Sequence, residues 1–439
     1  MHKRIFGLRE AIALIIAAMV GTGVFTSLGL QLQSIPSTSA VLLLWVLGGI
    51  ASLCGALAYA ELGATLPRSG GEYHLLSKIY HPTLGFIAGL STLVAGIAAP
   101  VAVAAVAFGK YASNVAANFT TLAPETLAVV LSVGVVVLVT VVHSSHIRLG
   151  ALLHSGITFF NIALIVSFII AALLWGKNTS VSLLPNAQDI DLMLSPSYAV
   201  SFVFVIYAYL GWNSSIYVLD EIKDPQKTLP RSVLSGVVLV MALYLLLNYA
   251  FLRTAPMQDF VGKIDVGNYA AMALFGTQGA VIMNALISCA LLATVSSYTI
   301  LAPRVWRAMG EDYPLFRFAA KLAPNGAPIQ AFALQAAIAI FMVLTSTFET
   351  ILLYAGFLLN LFNLLAVVGV IVLRIKMPDA PRPYKAWGYP ITPLIFAAIS
   401  LWMTAQVVVQ RPTESAMIVC TFALGYALSV WNNRRSPQA

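Results

Sequence analysis

A chain of 439 residues that is 60% hydrophobic and only 9% charged cannot fold as a soluble domain, because no globule of this size hides that much apolar surface from water. Its formal net charge of +8 would suit an anionic partner, but the basic residues are scattered through short loops between apolar runs, and nucleic-acid binding is not expected. Cys54, Cys289 and Cys420 all fall inside apolar runs, which points to free thiols and to neither a disulfide nor a metal framework.

Spans of about 20 apolar residues cross a bilayer core of roughly 30 Å. Twelve are expected, at about 8–31, 38–62, 83–113, 124–144, 151–175, 197–219, 232–254, 278–308, 328–347, 349–373, 389–410 and 415–432. The predicted fold is therefore all-α and integral to the membrane, with twelve transmembrane helices and the lipid bilayer as a partner. The apolar run behind Lys3 and Arg4 is too long for a removable leader and lacks a small-residue cleavage site, so it reads as the first span. Of 24 Lys and Arg residues, five (Lys110, Lys177, Arg253, Lys263 and Arg411) fall outside and 19 inside when both termini are cytoplasmic. That asymmetry fits a multi-pass protein of the cell membrane with an even span count.

Two spans are interrupted by glycines. The first break is Gly21-Thr22-Gly23, inside Leu8–Leu30; the second is Tyr207-Ala208-Tyr209-Leu210-Gly211-Trp212-Asn213, inside Tyr198–Leu219. Backbone N–H and C=O groups freed at mid-membrane find no water in hydrocarbon, so such a break survives only against protein, a cavity or a ligand. Paired breaks in corresponding places of two halves point to a transporter binding site. N–H groups near Gly21, Thr22 and Gly23 open a half-helix with positive partial charge and suit a carboxylate. Carbonyls near Val205, Ile206 and Ala208 end the other half-helix with negative partial charge and suit an ammonium group. A zwitterion fits between them. Glycine also serves plain helix packing in membranes; the joint occurrence beside Thr22, Asn213 and Ser214 favours a site.

Between the spans lie Glu61-Leu62-Gly63, then Pro67-Arg68-Ser69-Gly70-Gly71-Glu72-Tyr73, the segment Leu219–Arg231, and Arg382-Pro383-Tyr384-Lys385 followed by Gly388-Tyr389-Pro390. Together with the two breaks, this order of motifs resembles the amino acid–polyamine–organocation transporters, especially the L-type amino acid transporter branch, from Leu8 to about Pro390. The resemblance implies a leucine-transporter-type fold with a five-plus-five inverted repeat and discontinuous helices 1 and 6. The first repeat would occupy residues 1–176, the inverted one 197–377, and two additional helices 389–433. It also implies an amino acid as substrate and Tyr207 as an aromatic lid over it. Leu210 stands where several members for large substrates have glycine, which implies smaller substrates. Asn363 in the tenth span is a further candidate pocket residue, with a structural hydrogen bond as its plainer role. No Asp or Glu falls in the middle of spans 1, 3, 6, 8 or 10, so a neutral amino acid is expected rather than a cationic one.

The driving force stays open among three readings. Many exchangers of this branch carry a lysine in span 5 where this chain has Asn161. Span 8 reads Ala293-Thr294-Val295-Ser296-Ser297, with adjacent hydroxyls as in sodium-coupled relatives of the fold. Carbonyls of Ala17, Val20 and Ala293 with the hydroxyls of Ser296 and Ser297 would give Na⁺ the oxygen ligands it wants. Ser296 and Ser297 bonding their own helix is the plainer reading. A proton symporter is the second possibility, with His154 as candidate carrier, and exchange is the third. No other cofactor is expected. At the cytoplasmic mouth Tyr73 is a candidate gate beside Tyr207, and Asp220, Glu221 and Lys223 are candidates for ion pairs with Arg68 or Arg231. An enzyme is not expected: there is no His-Glu-x-x-His, Gly-x-Ser-x-Gly or phosphate loop, and His143 to His146 read as polar loop residues. A nutrient receptor with the same binding motifs, or a channel, is the rival from a different class.

Overall fold

The computed structural model describes residues 7–66, 71–145, 147–178, 180–214, 222–324 and 326–435, with side chains at all of them except 118, 147–159, 308 and 433–435. In chain order the helices are α1 (Leu8–Met19), α2 (Gly23–Gln31), α3 (Thr38–Thr65), α4 (Gly71–Ile79), α5 (Pro82–Ser91), α6 (Ala99–Ala116), α7 (Pro124–Ser145), α8 (Ile147–Trp175), α9 (Ala187–Leu194), α10 (Pro196–Tyr209), α11 (Pro225–Thr254), α12 (Val266–Asp312), α13 (Ile329–Thr345), α14 (Phe348–Lys376), α15 (Ile391–Gln410) and α16 (Pro412–Arg435). Caps mark several starts. Ser37, Ser195 and Thr347 accept from backbone N–H groups three residues on, and Asn186 with Asp189 forms a capping box.

Among the described residues, nine helical segments are long and apolar enough to cross a membrane, and a tenth if α9 and α10, bent by 76°, are one span. The protein is thus an all-helical, multi-pass membrane protein. Of the remaining expected spans, 151–175 lies in α8, whose described apolar part is Phe160–Trp175, and 328–347 lies in α13 at 17 residues. The helix at 197–219 stops after 14 residues, at Tyr209, and 215–221 lie outside the described residues.

Two helical segments carry an irregularity, one inside an expected span and one just before another. Between α5 and α6 a π-helical stretch, Thr92–Ala98, interrupts the third span. In α12 the backbone leaves helical geometry at Gly276, with φ 70°, a conformation that glycine alone adopts without strain. The span expected at 278–308 begins just past this kink. In an apolar 18-residue stretch of Pro82–Ala116, 78% of the residues are buried, against 22% in the corresponding stretch of Pro412–Asn432. The former is a central post and the latter lies at the periphery.

Two of the loop motifs, the one at Glu61 and the one at Arg382–Pro390, meet in one ion cluster. Glu61, at the end of α3, accepts from Arg374 Nε at 2.8 Å and Nη2 at 2.6 Å and from the Ala386 amide at 2.7 Å. Arg382 Nε lies 3.7 Å away, and the Arg374 guanidinium sits over the Tyr389 ring at 3.6 Å. The Arg-Pro-Tyr-Lys segment is thereby folded back onto α3.

Candidate substrate site

The first break is as narrow as the sequence suggests. Helix α1 ends at Met19, Val20 turns out with ψ 88°, and α2 resumes at Gly23. Phe25 N and Thr26 Oγ1 donate to the Thr22 carbonyl at 3.1 and 2.9 Å. The N–H groups of Gly21, Thr22 and Gly23 have no hydrogen-bond acceptor among the described residues. They form the open positive end of α2.

The second break starts later than the sequence suggests. Helix α10 continues through Tyr207 and Ala208 to Tyr209, and Leu210 leaves it with ψ 147°. Gly211 takes φ 113°, forbidden to side-chain-bearing residues without strain. The carbonyls left at the end of α10 are therefore those around Ile206 to Tyr209.

The two breaks touch. A Cβ on Gly23 would lie 2.7 Å from Ala208 Cα, and one on Gly211 would lie 2.5 Å from the Ala18 carbonyl oxygen. From α11, Tyr244 Oη lies 2.6 Å from the Met19 carbonyl and 2.9 Å from that of Ala208. One phenolic proton is shared by two carbonyls, one from each broken helix, in a fully buried position. Tyr207 is buried and its phenol comes within reach of Thr22 and beside Tyr298. Gly356 on α14 lets that helix close to Tyr207, with Tyr207 Cβ 3.2 Å from where a Cβ would stand.

Gly21, Thr22, Gly23, Tyr207 and Ala208 are thus brought to one place. Val205 and Ile206 lie in the preceding turn of α10, and Val205 packs against Gly48 of α3. Leu210 is half-buried at the end of the helix. Asn363 sits two turns beyond Gly356, about 10 Å along α14, and accepts from Tyr59 Oη at 2.7 Å.

The residues considered for a cation divide between partners. Ser297 Oγ donates to the Ala293 carbonyl at 2.8 Å. Ser296 Oγ lies 2.8 Å from His143 Nε2 of α7. Thr294 Cγ2 faces the first break, 3.7 Å from the Cβ position of Gly21, which brings α12 against the turn holding Ala17 and Val20. Asn161 Nδ2 approaches the Ala290 carbonyl at 3.5 Å, and its Oδ1 is buried with no partner among the described residues. His143, expected in a polar loop, is 3% exposed and lies within α7. The side chain of His154 lies outside the described residues, as do Arg68, Asp220 and Glu221. On α4, Tyr73 donates to the Asp312 carboxylate at the end of α12 and meets the Tyr313 ring at 5.9 Å. Burial, and then Asp312, push its phenol well above the usual tyrosine range, so it stays a donor. Tyr244 and Tyr59 escaped the sequence reading. The only signal was a hydroxyl in an apolar span, which must find a partner in the membrane.

The sequence has counterparts among known proteins. The family profile described as amino acid permease matches residues 6–428. The chain is 30% identical over 412 residues to the large neutral amino acids transporter small subunit 2 of Mus musculus, covering 91% of this chain and 77% of that one. It is 27% identical over 413 residues to the serine/threonine exchanger SteT of Bacillus subtilis, covering 93% and 92%. With the cystine/glutamate transporter of Homo sapiens the identity is 25% over 441 residues, covering 98% and 86%. The matched family and these relatives are transporters rather than enzymes. With its paired helix breaks and a profile match along nearly its whole length, the chain belongs to the amino acid permease family.

Proposed function

We propose that this membrane transporter carries small neutral amino acids across the cell membrane by alternating access. The observation that carries the proposal is the contact of the two breaks, free N–H groups of Gly21, Thr22 and Gly23 on one side and carbonyls at the end of α10 on the other. An α-carboxylate and an α-ammonium group have opposite needs, and these two ends meet both. Tyr207 covers the site, and Leu210 takes up side-pocket volume. In this proposal twelve spans cross the bilayer with both termini cytoplasmic. Residues 1–176 and 197–377 form inverted five-helix repeats, and 389–433 form two further helices.

Coupling to Na⁺ belongs to the same proposal. The carbonyls of Ala17, Val20 and Ala293 and the hydroxyls of Ser296 and Ser297 are its ligands, with Asn161 neutral where a lysine would compete. Exchange is the second reading, favoured by the present engagement of Ser296 with His143 and of Ser297 with Ala293. Uptake of labelled alanine, serine and tryptophan into proteoliposomes separates the readings. An inward Na⁺ gradient should drive accumulation of alanine and serine, and Ser297→Ala and Asn161→Lys should each abolish that dependence. Uptake that ignores Na⁺ and needs internal amino acid establishes exchange. No uptake of any neutral amino acid rejects the function.

Tyr244 offers a further test. Tyr244→Phe leaves the Met19 and Ala208 carbonyls without their shared donor, at about 1–3 kcal/mol for a buried unsatisfied group. Transport is expected to fall about tenfold, at about 1.4 kcal/mol per decade, while the protein stays monodisperse. Initial rates of serine uptake check this.

A further inference from the structure

Beneath the second break a buried polar cluster ties four elements together. Asn213, past the end of α10, donates its amide to Glu72 Oε1 on α4. From α3, Tyr59 Oη stands 3.0 Å from Glu72 Oε1 and 2.7 Å from Asn363 Oδ1 on α14. Tyr59, Asn363 and Glu72 are all at most 5% exposed. The Tyr59 ring also meets Trp212, next to Asn213, edge-on at 4.7 Å. The neighbouring residue on α4, Tyr73, holds the end of α12 through Asp312. Short as it is, α4 works as a crossbar: Glu72 grips α3 and the segment after α10, reaching α14 through Tyr59, and Tyr73 grips α12.

We propose that Glu72 is the latch of the cytoplasmic gate, holding the broken sixth span shut through Asn213, and that release of Asn213 opens the inward path below the substrate. The inference rests on the alternating-access reading above. Three features support it. Asn213 belongs to the non-helical segment that any rearrangement at Gly211 must move, since Gly211 is the residue with the unusual φ. A carboxylate accepting from an amide makes a charge-assisted bond, about twice as strong as a neutral one, yet water replaces it readily when the path opens. The single proton of Tyr59 lies between Glu72 and Asn363, so a change at Glu72 reaches α14, the helix that closes over Tyr207 through Gly356. Glu61, two residues from Tyr59, serves differently. Its bidentate guanidinium contact and the Ala386 amide fix a loop in place, which suits a permanent anchor rather than an element that opens in each cycle.

Ser214 supplies the reporter. Its hydroxyl is buried with no partner among the described residues, so Ser214→Cys is nearly isosteric and shielded while the latch holds. The full chain, with Cys54, Cys289 and Cys420 replaced by serine, is reconstituted and treated with a membrane-impermeant maleimide from each face separately. Glu72→Ala and Asn213→Ala are each expected to raise labelling from the α4 face about tenfold or more, as loss of a charge-assisted bond allows. Glu72→Gln, which still bonds Asn213 and Tyr59, is expected to fall between these and the parent. Unchanged labelling in both alanine variants overturns the proposal. A rise in Glu72→Ala alone also overturns it, because the latch would then not act through Asn213. Asn213→Ala is the milder variant should Glu72→Ala fail to fold. The readout needs no amino acid transport, so failure of the latch and failure of the substrate reading are separable.

Discussion

Gly23→Ala is expected to raise the half-saturation concentration for serine uptake by about 5- to 140-fold. The added Cβ would stand 2.7 Å from both Cα and Cβ of Ala208, closer than carbon atoms approach. Neither neighbour is the end of a flexible side chain, so α2 and α10 must separate. Overpacking of this kind costs about 1–3 kcal/mol, and about 1.4 kcal/mol changes an affinity tenfold, which gives the range stated. The separation falls between the N–H groups proposed for the carboxylate and the carbonyls proposed for the ammonium group, so substrate binding takes the full effect. Gly211→Ala should do at least as much, because it adds backbone strain at φ 113° to a clash with the Ala18 carbonyl at 2.5 Å. By contrast Gly134, with nothing within 4 Å of its Cβ position, should accept alanine at no cost to uptake. Uptake kinetics of the three variants check the set. Equal kinetics for Gly23→Ala and the parent would remove the breaks from the substrate site.

The breaks were legible because glycine beside threonine or asparagine stands out in an apolar run, and because hydrocarbon tolerates free backbone groups only under special conditions. Their exact bounds were not. Helix α10 passes through Tyr207 and Ala208 and stops at Tyr209 because the residue with left-handed φ is Gly211, and local sequence does not say which of several residues turns. Helical segments at the expected spans followed from composition alone. What composition could not supply is the burial of single polar residues. Glu72 and Glu61 stand in motifs between the expected spans and are 5% and 1% exposed, since α4 and the loop before α15 pack inward. His143 read as a loop residue and finds Ser296 across 153 positions of chain. Asn363 was a pocket candidate with a structural hydrogen bond as its plainer role, and the partner in that bond is Tyr59 on a different helix. Each of these pairings is set by how helices cross, which a single helix's pattern does not encode.

Glu61→Ala is expected to destabilise the protein by about 3–5 kcal/mol, the usual consequence of removing one partner of a buried ion pair. The carboxylate is 2% exposed and Arg382 9%, so the loss strands positive charge in a desolvated place. Among the described residues Arg374 then keeps only its position over the Tyr389 ring, and the Ala386 amide loses its acceptor. The effect should be uneven among the partners. Arg374→Ala removes two of the short bonds to Glu61 and should approach the cost of Glu61→Ala. Arg382→Ala removes a weaker contact at 3.7 Å, but Arg382 also donates to the carbonyls of Met377, Pro378 and Ala380, so its loss should loosen the loop before α15 more than the end of α3. Glu61→Gln separates charge from shape. It keeps an acceptor for Ala386 while ending the ion pair, and should fall between the parent and Glu61→Ala. Thermal unfolding in detergent ranks the four variants. Because the cluster lies at the end of α3, two residues from Tyr59, a large loss in Glu61→Ala with unchanged serine kinetics in the surviving folded fraction would assign Glu61 to anchorage alone.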